Sequence, residues 1–167
     1  MRCVDAFSTP RLAAERIRFP HYSRWLDLFR NPDVTAFEGG AWAFERIARG
    51  FAKQLGRWET AGIGYWIFAE RGRFVGIGGV RDLPRAGPLA VELGYALVPE
   101  FWGKGLATEM ARGVLDSGVD GLGSRDVIAY TLLAHGASRR VLEKSGFHFE
   151  GERWQEGRPH ALYRRRA

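Results

Sequence analysis

One segment constrains this chain more than any other: Val98-Pro99-Glu100-Phe101-Trp102-Gly103-Lys104-Gly105-Leu106-Ala107-Thr108-Glu109. Before it, Val91 to Val98 reads as a central strand, and Pro99 ends the ladder because it has no N–H to give. After it, Leu106, Met110 and Val114, with Ala107, Ala111 and Leu115 beside them, form the apolar stripe of a helix. A strand therefore stops, turns and becomes a helix across two glycines. The first N–H groups of a helix have no partner inside it, and the helix dipole leaves partial positive charge there. Glycines let a ligand approach the backbone without a Cβ in the way. Together these features make an anion cradle suited to a pyrophosphate. A tight turn into a helix is the plainer explanation, and the glycines alone do not separate the two.

Other phosphate loops fit poorly. A P-loop needs four residues between its first glycine and Gly-Lys-Ser/Thr, and that pattern is absent. A dinucleotide fingerprint would place glycine where Thr108 stands.

The rest of the chain reads as one mixed domain with no repeat or linker, spanning 1–167. An extended segment runs around Arg11 to Ile17, and a helix from about Tyr22 to Phe29 ends at Asn31-Pro32. Trp42 to Trp58 is predicted as a second helix, with Phe44, Ile47, Phe51 and Leu55 on one face. Tyr65 to Glu70 and Phe74 to Val80 are strand-like and flank Arg71-Gly72, a tight hairpin turn. Arg81 to Ala90 is a loop, and the helix after the glycines ends near Gly118 to Gly123. Asp126 to Leu132 is a strand, Ser138 to Lys144 a short helix with Gly146 as its left-handed cap, and Phe147 to Glu152 with His160 to Arg164 a last hairpin. Intermixed helices and strands imply an α/β or α+β class around a central sheet.

Composition narrows the function. Hydrophobic residues at 46% and charged residues at 26% are ordinary globular values. No apolar run is long enough to cross a bilayer and no signal segment opens the chain, so the expectation is a cytoplasmic protein with no membrane partner. The single cysteine, Cys3, stands near an end expected to fray, excludes an internal disulfide and is no nucleophile. His21, His135, His148 and His160 lack metal-site spacing, so no metal is expected. The net charge of +6 favours an anionic ligand or partner, which a polyanionic cofactor or ribosomal RNA would equally satisfy. Arg164-Arg165-Arg166 reads as a solvated end rather than a nucleic-acid arm.

The cradle does not stand alone. Val98 to Ala107 resembles the acetyl-coenzyme A signature of the GCN5-related N-acetyltransferases (GNAT), written Gln/Arg-x-x-Gly-x-Gly/Ala. Glu92-Leu93-Gly94-Tyr95-Ala96-Leu97 before it, and Ala137-Ser138-Arg139-Arg140-Val141-Leu142-Glu143-Lys144-Ser145-Gly146-Phe147 after it, look like the ribosomal-protein-alanine branch of that family. The resemblance covers about Thr9 to Tyr163 and is loose before Tyr65. It implies a mostly antiparallel mixed sheet, splayed at the cofactor site and flanked by about four helices. It also implies acetyl-coenzyme A as cofactor and transfer of its acetyl group to a primary amine by direct attack in a ternary complex. The amine could be a protein N-terminus or a small molecule, and a homodimer is compatible with the pattern.

Carried over residue by residue, Ala96, Leu97 and Val98 would offer main-chain groups to the pantetheine arm, and Gly103, Lys104, Gly105, Leu106, Ala107 and Thr108 would hold the pyrophosphate. Trp102 stands where the wider family often has Gln or Arg, and Arg139 joins the coenzyme contacts. His135 replaces the branch's usual asparagine at the pantetheine. Glu92 is the family-matched carboxylate to take the amine proton through water, and Ser138 the donor to the departing thiolate, with a salt-bridged strand residue and a helix cap as their respective plainer explanations. Phe37-Glu38-Gly39-Gly40 is acidic enough to line an amine site. Two other readings compete: a sensor that binds acyl-coenzyme A without catalysis, and a ribosome- or RNA-associated protein.

Overall fold

The computed structural model describes residues 2–83, 91–120, 126–155 and 157–166. Its strands are β1 (Arg2–Cys3), β2 (Ala6–Ser8), β3 (Ala13–Arg16), β4 (Tyr65–Glu70), β5 (Arg73–Asp82), β6 (Val91–Leu97), β7 (Val119–Asp120), β8 (Val127–Leu132), β9 (His148–Gln155) and β10 (Arg158–Arg165). Four α-helices, α1 (Tyr22–Arg30), α2 (Phe44–Ala61), α3 (Leu106–Gly113) and α4 (Gly136–Lys144), lie among them. Eight strands form one sheet in the order β2-β3-β4-β5-β6-β8-β10-β9, while β1 pairs with β7 apart from it. Every neighbouring pair in the large sheet is antiparallel except β6 and β8, which run parallel. This is the mixed, mostly antiparallel sheet with four helices that the sequence implied.

Register shows where the sheet opens. β6 keeps seven consecutive partners on β5, from Leu97 opposite Gly76 to Val91 opposite Asp82. On its other side it pairs with β8 only at Val91↔Val127 and Glu92↔Ile128. Beyond those two rungs the parallel strands part, leaving a gap between the far half of β6 and β8.

α3 packs flush on the face of the sheet that carries Gly78, where an added Cβ would come within 2.8 Å of Met110 Sδ. Leu106, Met110 and Val114 are buried there, each worth about 1.5–3 kcal/mol relative to exposure. α4 lies beside α3, and Tyr95 reaches it from β6. α1 and α2 pack on each other through Trp25, Phe29 and Phe51, and Trp58 of α2 meets Trp66 of β4 edge-on. Gly146, at φ +85, completes the end of α4: its N–H bonds Glu143 O and that of Phe147 bonds Leu142 O, as a left-handed cap requires.

Several expectations need correction. The buried stripe of α2 runs Ile47, Phe51, Gln54, Trp58, and Phe44 is exposed, because the helix starts at Phe44 rather than before it. The chain start is not frayed: Cys3 is buried, its N–H bonds Gly62 O, and β1 pairs with β7. Arg164 and Arg165 are not a solvated end; they close β10, with Arg164 paired to Glu150 and Asp126 and Arg165 to Asp116. Arg81 and Asp82 extend β5, and from Pro84 onward the predicted loop lies outside the described residues. α3 passes at Val114 into a wider π-helical turn through Gly118; the remainder of its predicted end, 121–123, also lies outside them.

Candidate active site

Main-chain groups come first, because the gap is built from them. Val98 N–H donates to Val75 O at 2.9 Å, which fixes the phase of the β5–β6 ladder. Antiparallel pairing alternates, so the amides of Ala96 and Gly94 also turn toward β5, while those of Tyr95 and Leu97 turn toward the gap. Of the predicted trio Ala96, Leu97 and Val98, only Leu97 thus offers its N–H, and Tyr95 joins it. Leu97 O accepts the indole N–H of Trp102 at 2.9 Å, so Trp102 spends its polar group on the end of the strand.

Pro99 to Phe101 then make one tight turn and Phe101 is buried, which leads the chain across the end of the gap to the glycines. Gly103 and Gly105 both hold positive φ, +73 and +76, a conformation costly to any residue with a Cβ. Gly105 is the N-cap of α3 and supplies no side-chain bond; the first helical bond is Glu109 N–H to Gly105 O. The N–H groups from Gly103 to Thr108 therefore have no acceptor among the described residues. Open amides at a helix start, continuous with the open edge of β6, fit an elongated ligand with an anionic end.

The side chains around this frame are mostly engaged. Lys104 Nζ lies back over the Phe101 ring, 5.4 Å from its centre. Glu109 accepts from Thr9 Oγ1 at 2.6 Å and from Arg11 N and Nε at 2.8 and 2.6 Å. Burial alone would raise its carboxyl, but those bonds outweigh it and hold it below the ordinary carboxylate range. Nothing in the sequence spacing pointed to Thr9 or Arg11 at this site, because their partner is 98 residues or more away.

Ser138 sits in the first turn of α4, but the cap position belongs to His135, and no side-chain cap bond forms there. The capping explanation of Ser138 therefore fails. Its Oγ lies 3.0 Å from the Tyr95 hydroxyl, which also donates to Ser138 O at 3.1 Å. Burial pushes the Tyr95 phenol well above its ordinary range, more than the bond to Ser138 lowers it. A tyrosine hydroxyl from β6 thus reaches the start of this helix.

His135 is half-buried and stacks on Phe37, ring centres 3.9 Å apart and planes within 9°. Burial lowers its pKa, so the ring is held toward its neutral form. Arg158 Nη1 donates to Phe37 O at 2.7 Å, which ties the Phe37 turn to β10. Glu38 of the same turn pairs with Arg46 at 3.4 Å. Arg139 donates to Tyr163 Oη at 3.0 Å and lies over the Phe149 ring, so its guanidinium serves the β9–β10 hairpin.

Glu92 is buried, and Arg81 grips it with two bonds, Nε to Oε2 at 3.0 Å and Nη2 to Oε1 at 2.6 Å. Burial works against the charge of Arg81, yet these bonds hold its guanidinium above the ordinary range. The same face carries Tyr65, whose phenol burial pushes up to about 12 and which packs against Gly94 closely enough that a Cβ there would meet its hydroxyl. Among the described residues, no group of three metal-ligating side chains converges, and no helix is long and apolar enough to cross a membrane.

Known proteins share this arrangement. The profile of the acetyltransferase (GNAT) domain matches residues 11–148. Uncharacterized protein YkkB of Bacillus subtilis (strain 168) is 30% identical over 143 residues, covering 84% of this chain and 83% of that protein. The crystal structure of an acetyltransferase from Agrobacterium tumefaciens str. C58 superposes with a TM-score of 0.82 at 22% identity, over 100% of this chain and 97% of that one. RimL, a ribosomal L7/L12 alpha-N-protein acetyltransferase solved in complex with coenzyme A, superposes with a TM-score of 0.76 at 13% identity, over 96% and 97% of the two chains.

Proposed function

Because the chain belongs to the GNAT acetyltransferases, acyltransferases that use acetyl-coenzyme A, we propose that it acetylates a primary amine of low basicity, foremost a protein N-terminal amine, by direct attack in a ternary complex. The observation that carries this is the parted pair β6 and β8, whose open edge at Tyr95 and Leu97 runs on into the open amides from Gly103 to Thr108.

When bound, the coenzyme supplies an acetyl group activated as a thioester. In this reading the amides of Gly103 to Thr108 bind its phosphates, and those of Tyr95 and Leu97 orient its arm. Donors fixed in advance by a sheet need no reorganisation, and one such donor contributes about 2.7–4 kcal/mol where charge develops. The Ser138 hydroxyl donates a hydrogen bond to the departing sulfur, which, as a thiolate of thiol pKa about 8.5, leaves without needing full protonation. Tyr95 holds the Ser138 hydroxyl in place, since a phenol of raised pKa is a poor acid but a good fixture.

Glu92 accepts from the amine or its water. Arg81 fixes both carboxylate oxygens of Glu92 through two hydrogen bonds and leaves each oxygen further lone-pair capacity for the amine or its water. An α-amine, with pKa of about 7.7–8.0, loses its proton at far less cost than a lysine amine at about 10.4, which favours the α-amine as acceptor. The relation to RimL, described as an alpha-N-protein acetyltransferase, points the same way.

Thiol release from acetyl-coenzyme A, followed over N-terminal peptides, polyamines, lysine derivatives and small amines, tests this. Turnover should be highest with free α-amines, and Glu92→Gln should lower kcat about tenfold or more while leaving coenzyme affinity within about twofold. Thiol release with none of these amines, or a preference for lysine side chains, would count against the proposal.

A further inference from the structure

Lys104 is the cation that its place in the sequence nominates for the phosphates, yet its ammonium lies over Phe101. A different cation stands at the cradle. Arg11 Nη1 donates to Lys104 O at 3.0 Å, its Nε donates to Glu109 Oε2, and its Nη2 would lie 3.7 Å from a Cβ built on Gly105. Nη2 has no acceptor among the described residues, and it lies beside Gly105, whose N–H has none either. The side chain is 45% exposed, so a ligand can reach it, while the Glu109 side chain that aims it is only 14% exposed.

The aiming is specific. Thr9 N–H bonds Leu12 O to close a turn, and Thr9 Oγ1, Arg11 N and Arg11 Nε all converge on one carboxylate of α3. The turn also rides along the helix, since a Cβ on Gly113 would meet Thr9 Cγ2 at 2.6 Å. A guanidinium whose unengaged Nη2 is held beside amides without acceptors is complementary to an anionic phosphate oxygen and not to a neutral arm.

We propose that Arg11, oriented by Glu109, is the side-chain ligand for the phosphates of the acyl carrier and sets the preference for a phosphorylated carrier over a bare pantetheine thioester. This rests on the acetyl-coenzyme A reading above and adds to it a residue from outside the glycine turn. Glu109 is a positioning residue: its charge is consumed by Thr9 and Arg11, so it does not repel the ligand it faces.

Calorimetric affinity for coenzyme A, together with kcat and KM for acetyl-coenzyme A and for S-acetylpantetheine, tests it in Arg11→Met, Arg11→Lys and Glu109→Gln. Arg11→Met keeps the aliphatic stem. It should lose about 10–100-fold in affinity for coenzyme A and raise KM for acetyl-coenzyme A alike, with kcat at saturation and KM for S-acetylpantetheine within about twofold of wild type. Arg11→Lys should recover part of the loss, and Glu109→Gln should fall between. Equal losses toward both thioesters, or an Arg11→Met affinity within twofold of wild type, would overturn the assignment while leaving the acetyl-coenzyme A reading intact. A wild-type protein that binds neither carrier would overturn both.

Discussion

α3 and α4 both begin beside the gap between β6 and β8, yet they meet it with different chemistry. α3 opens on two left-handed glycines, has no side-chain cap, and presents amides without acceptors among the described residues. α4 opens on a half-buried histidine stacked on Phe37, followed by a serine already bonded to Tyr95. The first start works through its backbone and the second through side chains whose partners come from other elements. Backbone chemistry of this kind is set by a few consecutive residues. Side-chain chemistry is set by whatever the fold places opposite.

The largest test of that contrast is at Gly105. Valine there must hold φ near +76, which a β-branched residue strongly resists, and its side chain would project toward Arg11. Gly105→Val should lower coenzyme A affinity by about 30-fold or more, measured by calorimetry; an unchanged affinity would mean that the turn is only a turn.

A smaller, different effect belongs to the other helix start. Tyr95→Phe and Ser138→Ala should each lower kcat by about tenfold with coenzyme affinity kept within about twofold, and the double variant should be little worse than either alone, because the two hydroxyls act as one unit. Losses that multiply in the double variant would separate the pair.

The smallest effect is His135. Its folded-state pKa lies below its unfolded one, so the folded protein binds this proton less tightly. The neutral ring's contribution to stability is present above the ordinary histidine pKa of about 6.5 and is lost as pH falls through that value toward the lower folded one. His135→Phe keeps an aromatic ring for the Phe37 stack and removes the titration. Its melting temperature should fall less than that of wild type between about pH 7.5 and pH 5.5. His21, also lowered chiefly by burial, leaves some acid sensitivity in both proteins. Identical slopes would show that His135 does not titrate in this window.

The same division explains what could be read in advance. The strand end at Pro99, the hairpin at Arg71 and Gly72, both with φ above zero, the glycine turn into α3 and the cap at Gly146 followed from local residues alone. A mostly antiparallel, splayed sheet followed from the family resemblance, since no local pattern encodes which strands part; the strand order and the two-rung contact of β6 with β8 come from the structure. The phase of β6 is not written in the sequence: Ala96 and Val98 turn their amides to β5, as the Val98–Val75 bond fixes. A helix start at Ser138 makes capping an alternative to its donor role, but α4 begins two residues earlier at Gly136, and β5 rather than a loop carries Arg81 to Glu92. Arg11 was passed over because its meaning depends on Glu109, far along the chain.

Backbone amide chemical shifts during titration with coenzyme A test the central claim most directly. The largest changes should fall on Tyr95, Leu97 and the run from Gly103 to Thr108, with Ala96 and Val98 changing less than the neighbours between and before them. Large shifts confined to other surfaces, such as the β2–β3–β4 groove lined by Phe7, Ala14 and Ile67, would contradict it.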